Sequence, residues 1–189
     1  MTAAVDFQII ESDRKIKIPV AAYLAENAGA ALLMLPAMGV RAGFYRKFAE
    51  QLVNAGVSVF LMEQRGHGHS PYRASRRMDF ACRDYIDEDI KTTIKWAKGQ
   101  VSSDVPFYIG GHSMGGHMAA CYAGLYNDEI DGLMTIACGL PHKDVFDGKI
   151  GRQITSLSRV LPAILFLWGY FPGERIGFAG REFKSYMKD

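Results

Sequence analysis

A chain of 189 residues, 49% hydrophobic and 22% charged, is sized for one globular domain with a substantial core, which excludes an intrinsically disordered protein. Acids and bases nearly balance at a formal charge of +2, and no dense basic stripe interleaved with aromatics is present, so nucleic acid is not an expected partner. Cys82, Cys121 and Cys138 are odd in number and far apart, which fits neither a disulfide framework nor a zinc site and suits a reducing compartment.

The chain opens on Met1-Thr2-Ala3-Ala4-Val5-Asp6, which lacks the basic start and apolar core of a secretion signal, so a cytoplasmic location is expected. Val5 to Glu11 and Lys15 to Ala25 are extended runs split by the turn-forming Ser12-Asp13-Arg14, a predicted hairpin. Ala30 to Leu35 is the continuous apolar run of a strand buried on both faces, ending at Pro36-Ala37-Met38-Gly39-Val40. From Ala42 to Asn54 the residues Phe44, Tyr45, Phe48, Ala49, Leu52 and Val53 share one helical stripe, closed by Gly56. Val57 to Glu63 is a second buried strand running into the glycine-rich loop Glu63 to Ser70. Arg73, Arg76 and Arg77 form a small basic knot, read as a solvated loop with a minority reading as an attractor of anionic substrates.

A helix is predicted from about Asp79 to Gly99, with Ile86, Ile90, Thr93, Ile94 and Ala97 on one face and Asp84, Asp87, Glu88 and Lys91 opposite. Then Val105 to Gly110 reads as a strand, Gly111-x-Ser113-x-Gly115 as a sharp turn, and Gly116 onward as a helix of small residues, with a further strand over Ile130 to Ala137. Such alternation predicts an α/β fold: a mostly parallel sheet behind an N-terminal antiparallel hairpin, with helices on both faces. Ligands bind such sheets beyond the carboxyl ends of the strands, where the 36–40 loop, the 63–70 loop and Ser113 would converge. Past Cys138 no strand period is evident. The apolar run Val160 to Phe171, broken by Pro162 and Gly169, is too short to span a bilayer, and the apolar, aromatic stretch Leu157 to Phe171 reads as a lid over an apolar pocket, with a core helix as the alternative.

The strand, the turn and the helix around Ser113 have the layout of a nucleophile elbow, in which the turn lifts a serine oxygen clear and the following helix aims unpaired N–H groups at a developing oxyanion. Gly111-His112-Ser113-Met114-Gly115-Gly116, the loop Glu63-Gln64-Arg65-Gly66-His67-Gly68-His69-Ser70 and Pro36-Ala37-Met38-Gly39 together resemble the α/β-hydrolase fold, and within it serine aminopeptidase S33-like and monoacylglycerol-lipase-like hydrolases. Gly39 through Arg46 and Gly169 through Gly177 are similar to a predicted bacterial α/β-hydrolase branch. The resemblance implies Ser113 as nucleophile and the backbone N–H groups of Met38 and Met114 as oxyanion hole, with no metal and no cofactor. It also implies an ion pair for Arg65. Pro36-Ala37 stands where the family has His-Gly, and Glu63 where it has Asp.

The same resemblance places the acid and the histidine of the triad after the serine, on later loops. Only His117 and His142 follow Ser113, and two further strands and helices are expected beyond Asp189. His117 reads as a helix histidine near the site; His142 with Asp144 could in principle approach the serine. His67 and His69 read as loop histidines facing the pocket, and His112 as structural. Residues 1–140 are then the N-terminal part of a hydrolase core and 141–189 a lid-like segment. The expected activity is hydrolysis of a small acyl substrate, an ester, thioester or amide, through an acyl-enzyme. The alternative is a catalytically incompetent N-terminal piece without its base, prone to self-association through an exposed sheet edge.

Overall fold

The computed structural model describes residues 6–139, 145, 148–175, 181–184 and 187. β1 (Gln8–Glu11) and β2 (Lys17–Tyr23) form the antiparallel hairpin, its turn tightened by Ser12 N–H donating to the Ile16 carbonyl at 3.0 Å. β3 (Ala30–Leu35), β4 (Val57–Met62), β5 (Phe107–His112) and β6 (Gly132–Ile136) are mutually parallel, and β4 also pairs antiparallel with β2. The sheet order is β1-β2-β4-β3-β5-β6, so β5 lies between β3 and β6.

Side chains alternate across the strands, which divides the core into two layers. Val20, Leu33, Phe60 and Ile109 face Ile86, Ile90, Ile94, Met118 and Tyr122, whereas Ala21, Met34 and Leu61 face Tyr45 and Ala49. The helices that supply these partners are α1 (Arg46–Asn54), entered through a 3₁₀ turn at Ala42–Tyr45; α2 (Cys82–Asp84), continuing through a π-helical turn (Tyr85–Ile90) into α3 (Lys91–Lys98); and α4 (Met114–Leu125). Helices on both faces of a mainly parallel sheet are what the alternating pattern predicts. The π-helical turn is not visible in it, because one inserted residue shifts the helical stripe by less than the width of an apolar face.

α5 (Gly148–Trp168) contains Pro162 and buries Leu165 while leaving Val160, Phe166 and Leu167 exposed. After the turn at Gly169, β7 (Tyr170–Pro172) pairs antiparallel with β8 (Arg181–Phe183). Three-residue strands have no readable period, so this pairing was beyond sequence inspection. His142 and Asp144 lie outside the described residues.

Candidate active site

Parallel pairing of β3 with β5, with Leu35 opposite Gly111, brings the carboxyl ends of both strands to the same edge of the sheet. From β5 the chain turns into α4 at Ser113, whose backbone sits at φ 52°, ψ −119°, a region sparsely populated by residues with a Cβ. The Ser113 N–H donates to the Ile136 carbonyl at the end of β6 at 2.9 Å, and the Ser113 carbonyl accepts from Gly116 N–H at 2.9 Å. Ser113 itself is half-buried and stands immediately before the first turn of a twelve-residue helix. Met114 opens that helix, so its N–H has no partner one turn earlier within it.

Both flanking glycines are required by close approach. A Cβ on Gly111 would overlap the Gly115 backbone, and one on Gly115 would collide with the carbonyl oxygens of Leu35 and Pro36. The elbow and the loop after β3 are therefore in direct contact, main chain against main chain.

That loop is pinned residue by residue. Gln64 Nε2 donates to the Pro36 carbonyl at 2.8 Å, Ala37 N–H donates to the Tyr45 hydroxyl at 3.0 Å, and Gly39 N–H donates to His67 Nε2 at 3.1 Å. Among the described residues no hydrogen bond takes up the N–H of Met38, the half-buried residue in the middle. Tyr45 extends the bracing to the elbow, since its hydroxyl also lies 2.8 Å from His112 Nδ1. His112 is thus structural, as its sequence position implies. Tyr45→Phe should cost about 1–3 kcal/mol by leaving the buried Ala37 amide unsatisfied, a loss readable by urea unfolding.

In the 63–70 loop the ion pair expected of Arg65 forms, whereas His67 departs from expectation. Arg65 pairs with Asp89 in the π-helical turn, Nε to Oδ2 at 2.7 Å and Nη2 to Oδ1 at 2.5 Å, and with Glu88 at 3.4 Å. Its guanidinium also lies 4.1 Å from the centre of the Phe80 ring. Glu63 instead accepts the N–H groups of Ala42 at 2.9 Å and His69 at 3.2 Å, filling space that a Cβ at Gly68 would occupy. His67 does not face a pocket: it is buried 2.9 Å from the equally buried Glu182 Oε1, while His69 stacks on Phe7 with ring centres 4.5 Å apart. Glu182 is 115 residues from His67 in sequence, and no local signal foretells the pairing.

Burial of His67 opposes its protonation, but the hydrogen bond and charge of Glu182 outweigh it and raise the imidazole pKa above its ordinary value. Its Nε2 cannot accept from Gly39 and donate to Glu182 at once, so protonation exchanges one bond for the other. A raised histidine pKa stabilises the fold fully below the unfolded value near 6.5, and that contribution disappears as pH rises through the higher folded value. The melting temperature should therefore fall across this window, the fall should shrink in Glu182→Gln, and the Gly39 amide resonance should titrate together with the His67 ring.

His117, one turn along α4, has a buried Nε2 with no hydrogen-bond partner among the described residues. No hydrogen bond among them joins the Ser113 hydroxyl to a histidine, and no group of three or more His, Cys, Asp or Glu side chains is arranged to hold a metal ion. None of their helices is long and apolar enough to cross a membrane.

The serine aminopeptidase S33 profile matches residues 26–173. A Schizosaccharomyces pombe protein named "Putative monoglyceride lipase" is 27% identical over 144 residues, which is 72% of this chain and 37% of the yeast protein. In three dimensions the α/β hydrolase GrgF from Penicillium sp. sh18 superposes with a TM-score of 0.68 at 16% identity, covering 98% of this chain and 72% of that one. A thermostable carboxyl esterase from Bacillus coagulans gives 0.64 at 20% identity, covering 88% and 52%. The chain thus spans a little over a third of its yeast relative and about half of the esterase. With its elbow, its braced loop and a profile match over most of its length, the chain belongs to the serine aminopeptidase S33 family and has the α/β-hydrolase fold.

Proposed function

We propose that this chain carries the nucleophile and the oxyanion hole of a serine hydrolase acting on an ester, thioester or amide. The observation that carries the reading is the backbone of Ser113, held at φ 52° between β5 and α4 beside a loop whose other amides are engaged while that of Met38 is not. In the reaction the Ser113 hydroxyl adds to the substrate carbonyl and gives its proton to a general base. The oxygen that becomes negative is received by the N–H groups of Met38 and Met114. Collapse expels the alcohol, thiol or amine with a proton and leaves an acyl-serine, which water cleaves to the acid and free enzyme. Among the three substrate classes an ester is favoured by the name of the yeast relative.

In this reading residues 1–140 are the core and 141–189 a cap above it. The acid and histidine belong to loops later than Ser113, and among the described residues no hydrogen bond joins the Ser113 hydroxyl to a histidine, which favours a second reading, a nucleophile-bearing piece without turnover of its own. Such a piece would self-associate through β6, an edge strand of the sheet among the described residues, whose Gly132-Leu133-Met134-Thr135-Ile136 has no charge or proline to guard it. Labelling by a fluorophosphonate probe tests the first reading. Covalent modification that is lost in Ser113→Ala supports it, and folded protein that resists the probe at every pH leaves only the second.

A further inference from the structure

We propose that His67 is a positioning residue for the oxyanion hole: its Nε2, within reach of both Gly39 and Glu182, holds the Met38–Gly39 peptide only while the ring is neutral. The consequence for the reaction rests on the hydrolase reading, whereas the consequence for the loop does not. Ala37 to Val40 form a turn closed by Val40 N–H donating to the Ala37 carbonyl at 3.1 Å, with Gly39 at φ 73° as in the type II form. The N–H that His67 receives at 3.1 Å belongs to the central peptide plane of this turn. Types I and II differ by a flip of that plane, and a glycine in third place adopts either. Met38, whose own N–H is the proposed oxyanion donor, supplies the other half of the same peptide.

A proton count makes the brace conditional. Nδ1 of His67 lies 3.2 Å from the Arg65 carbonyl, which can only accept, so Nδ1 carries a hydrogen. In the neutral ring Nε2 then has one lone pair, and it takes the Gly39 N–H. In the imidazolium Nε2 bears a hydrogen instead, which goes to Glu182 Oε1 at 2.9 Å, and the Gly39 N–H faces another donor. The neighbouring brace escapes this conflict, because the Tyr45 hydroxyl accepts from Ala37 N–H and still has a proton for His112 Nδ1.

Among the described residues the charged groups acting on the ring are two acids, Glu182 from β8 and Glu63 just past β4, and residues 36–40 carry no titratable side chain. Burial works against the proton, but Glu182 and, more weakly, Glu63 retain it, so the ring titrates above the ordinary histidine range. Below that point the Met38–Gly39 plane has no acceptor and samples both turn types. As pH rises through it, Gly39 is caught and the Met38 N–H is fixed beside the elbow.

NMR of protein isotopically labelled at methionine and glycine amides tests this without turnover. The Met38 and Gly39 amide resonances should titrate with the midpoint of the His67 ring. Glu182→Gln should lower that midpoint by roughly one pH unit. In His67→Gln, whose side-chain amide accepts without titrating, both resonances should stay in place. Fluorophosphonate labelling, in which the phosphoryl oxygen enters the oxyanion hole, should speed up on the order of tenfold through the same midpoint, less than the roughly 10²–10³ that loss of a whole donor costs. Its rise should move with Glu182→Gln, which a rise due to the general base would not do. A Met38 amide that stays still while the ring titrates overturns the proposal. So does a ring that keeps one protonation state between about pH 5 and 9, or a labelling profile that Glu182→Gln leaves in place. Where Glu182→Gln fails to fold, His67→Gln decides, since a Met38 amide that still titrates in it overturns the proposal as well. Protein that is never labelled removes the hydrolase reading, and the Met38 amide still decides whether His67 sets the loop.

Discussion

Asp89→Ala should remove about 3–5 kcal/mol of stability at neutral pH, because it leaves a buried guanidinium that cannot shed its proton with only the longer Glu88 contact. Arg65→Met breaks the same pair but should be milder and dependent on pH. Burial already pushes the Asp89 carboxyl up to about 6 against the pull of Arg65. Without that pull the carboxyl rises further and can take up a proton, so stability lost at pH 8 should partly return as the solution is acidified. The double variant Arg65→Met with Asp89→Leu should recover most of the loss, since a well-packed apolar pair often replaces a buried ion pair at little cost. Denaturant titrations of wild type, Arg65→Met, Asp89→Leu and the double variant at two pH values give the cycle. An Asp89→Ala protein within about 1 kcal/mol of wild type would mean that the pair does not hold the 63–70 loop to the π-helical turn.

Gly115→Ala is the second large effect, and it acts on geometry rather than charge. The added methyl would sit 2.5 Å from the Pro36 carbonyl oxygen and closer still to that of Leu35. Neither atom belongs to a side chain that can rotate away, so the elbow helix and the loop after β3 must separate. A loss of about 3 kcal/mol or more is expected, along with fluorophosphonate reactivity if Ser113 is the nucleophile. Gly124→Ala is the control on the same helix. There a Cβ meets nothing within 4 Å, and alanine's helix preference should hold or slightly raise the melting temperature.

These two sites show what could be read in advance. Strand positions and the elbow were legible because each rests on a short, strong pattern: unbroken apolar runs for β3 and β4, and glycines at fixed offsets around Ser113. Ser113 was named from the same local signals, Met38 and Met114 from the family resemblance, and the fold places the loop of the first methionine against the elbow. What holds that loop was not legible. Tyr45 counts in the sequence as one more aromatic on a buried stripe, yet its hydroxyl ties Ala37 to His112. Arg65 was expected to form an ion pair, but its partner lies 24 residues on, inside a helix whose charged face reads as solvated. Glu182 belongs to a three-residue strand with no period. Hydrogen bonds between distant polar groups leave no trace in hydrophobic patterning, because pattern reports which face is buried and not what a buried polar atom meets.

Ser113 carries its side chain at φ 52°, ψ −119°. A side chain on a backbone that sterics reserve mainly for glycine holds back about 1–3 kcal/mol that the rest of the fold supplies. Glycine at this position would adopt the same angles with less strain, so a Ser113→Gly protein should withstand more heat than its parent while having no hydroxyl to react. The thermal ceiling of the molecule is thus lowered by the residue proposed to make it an enzyme.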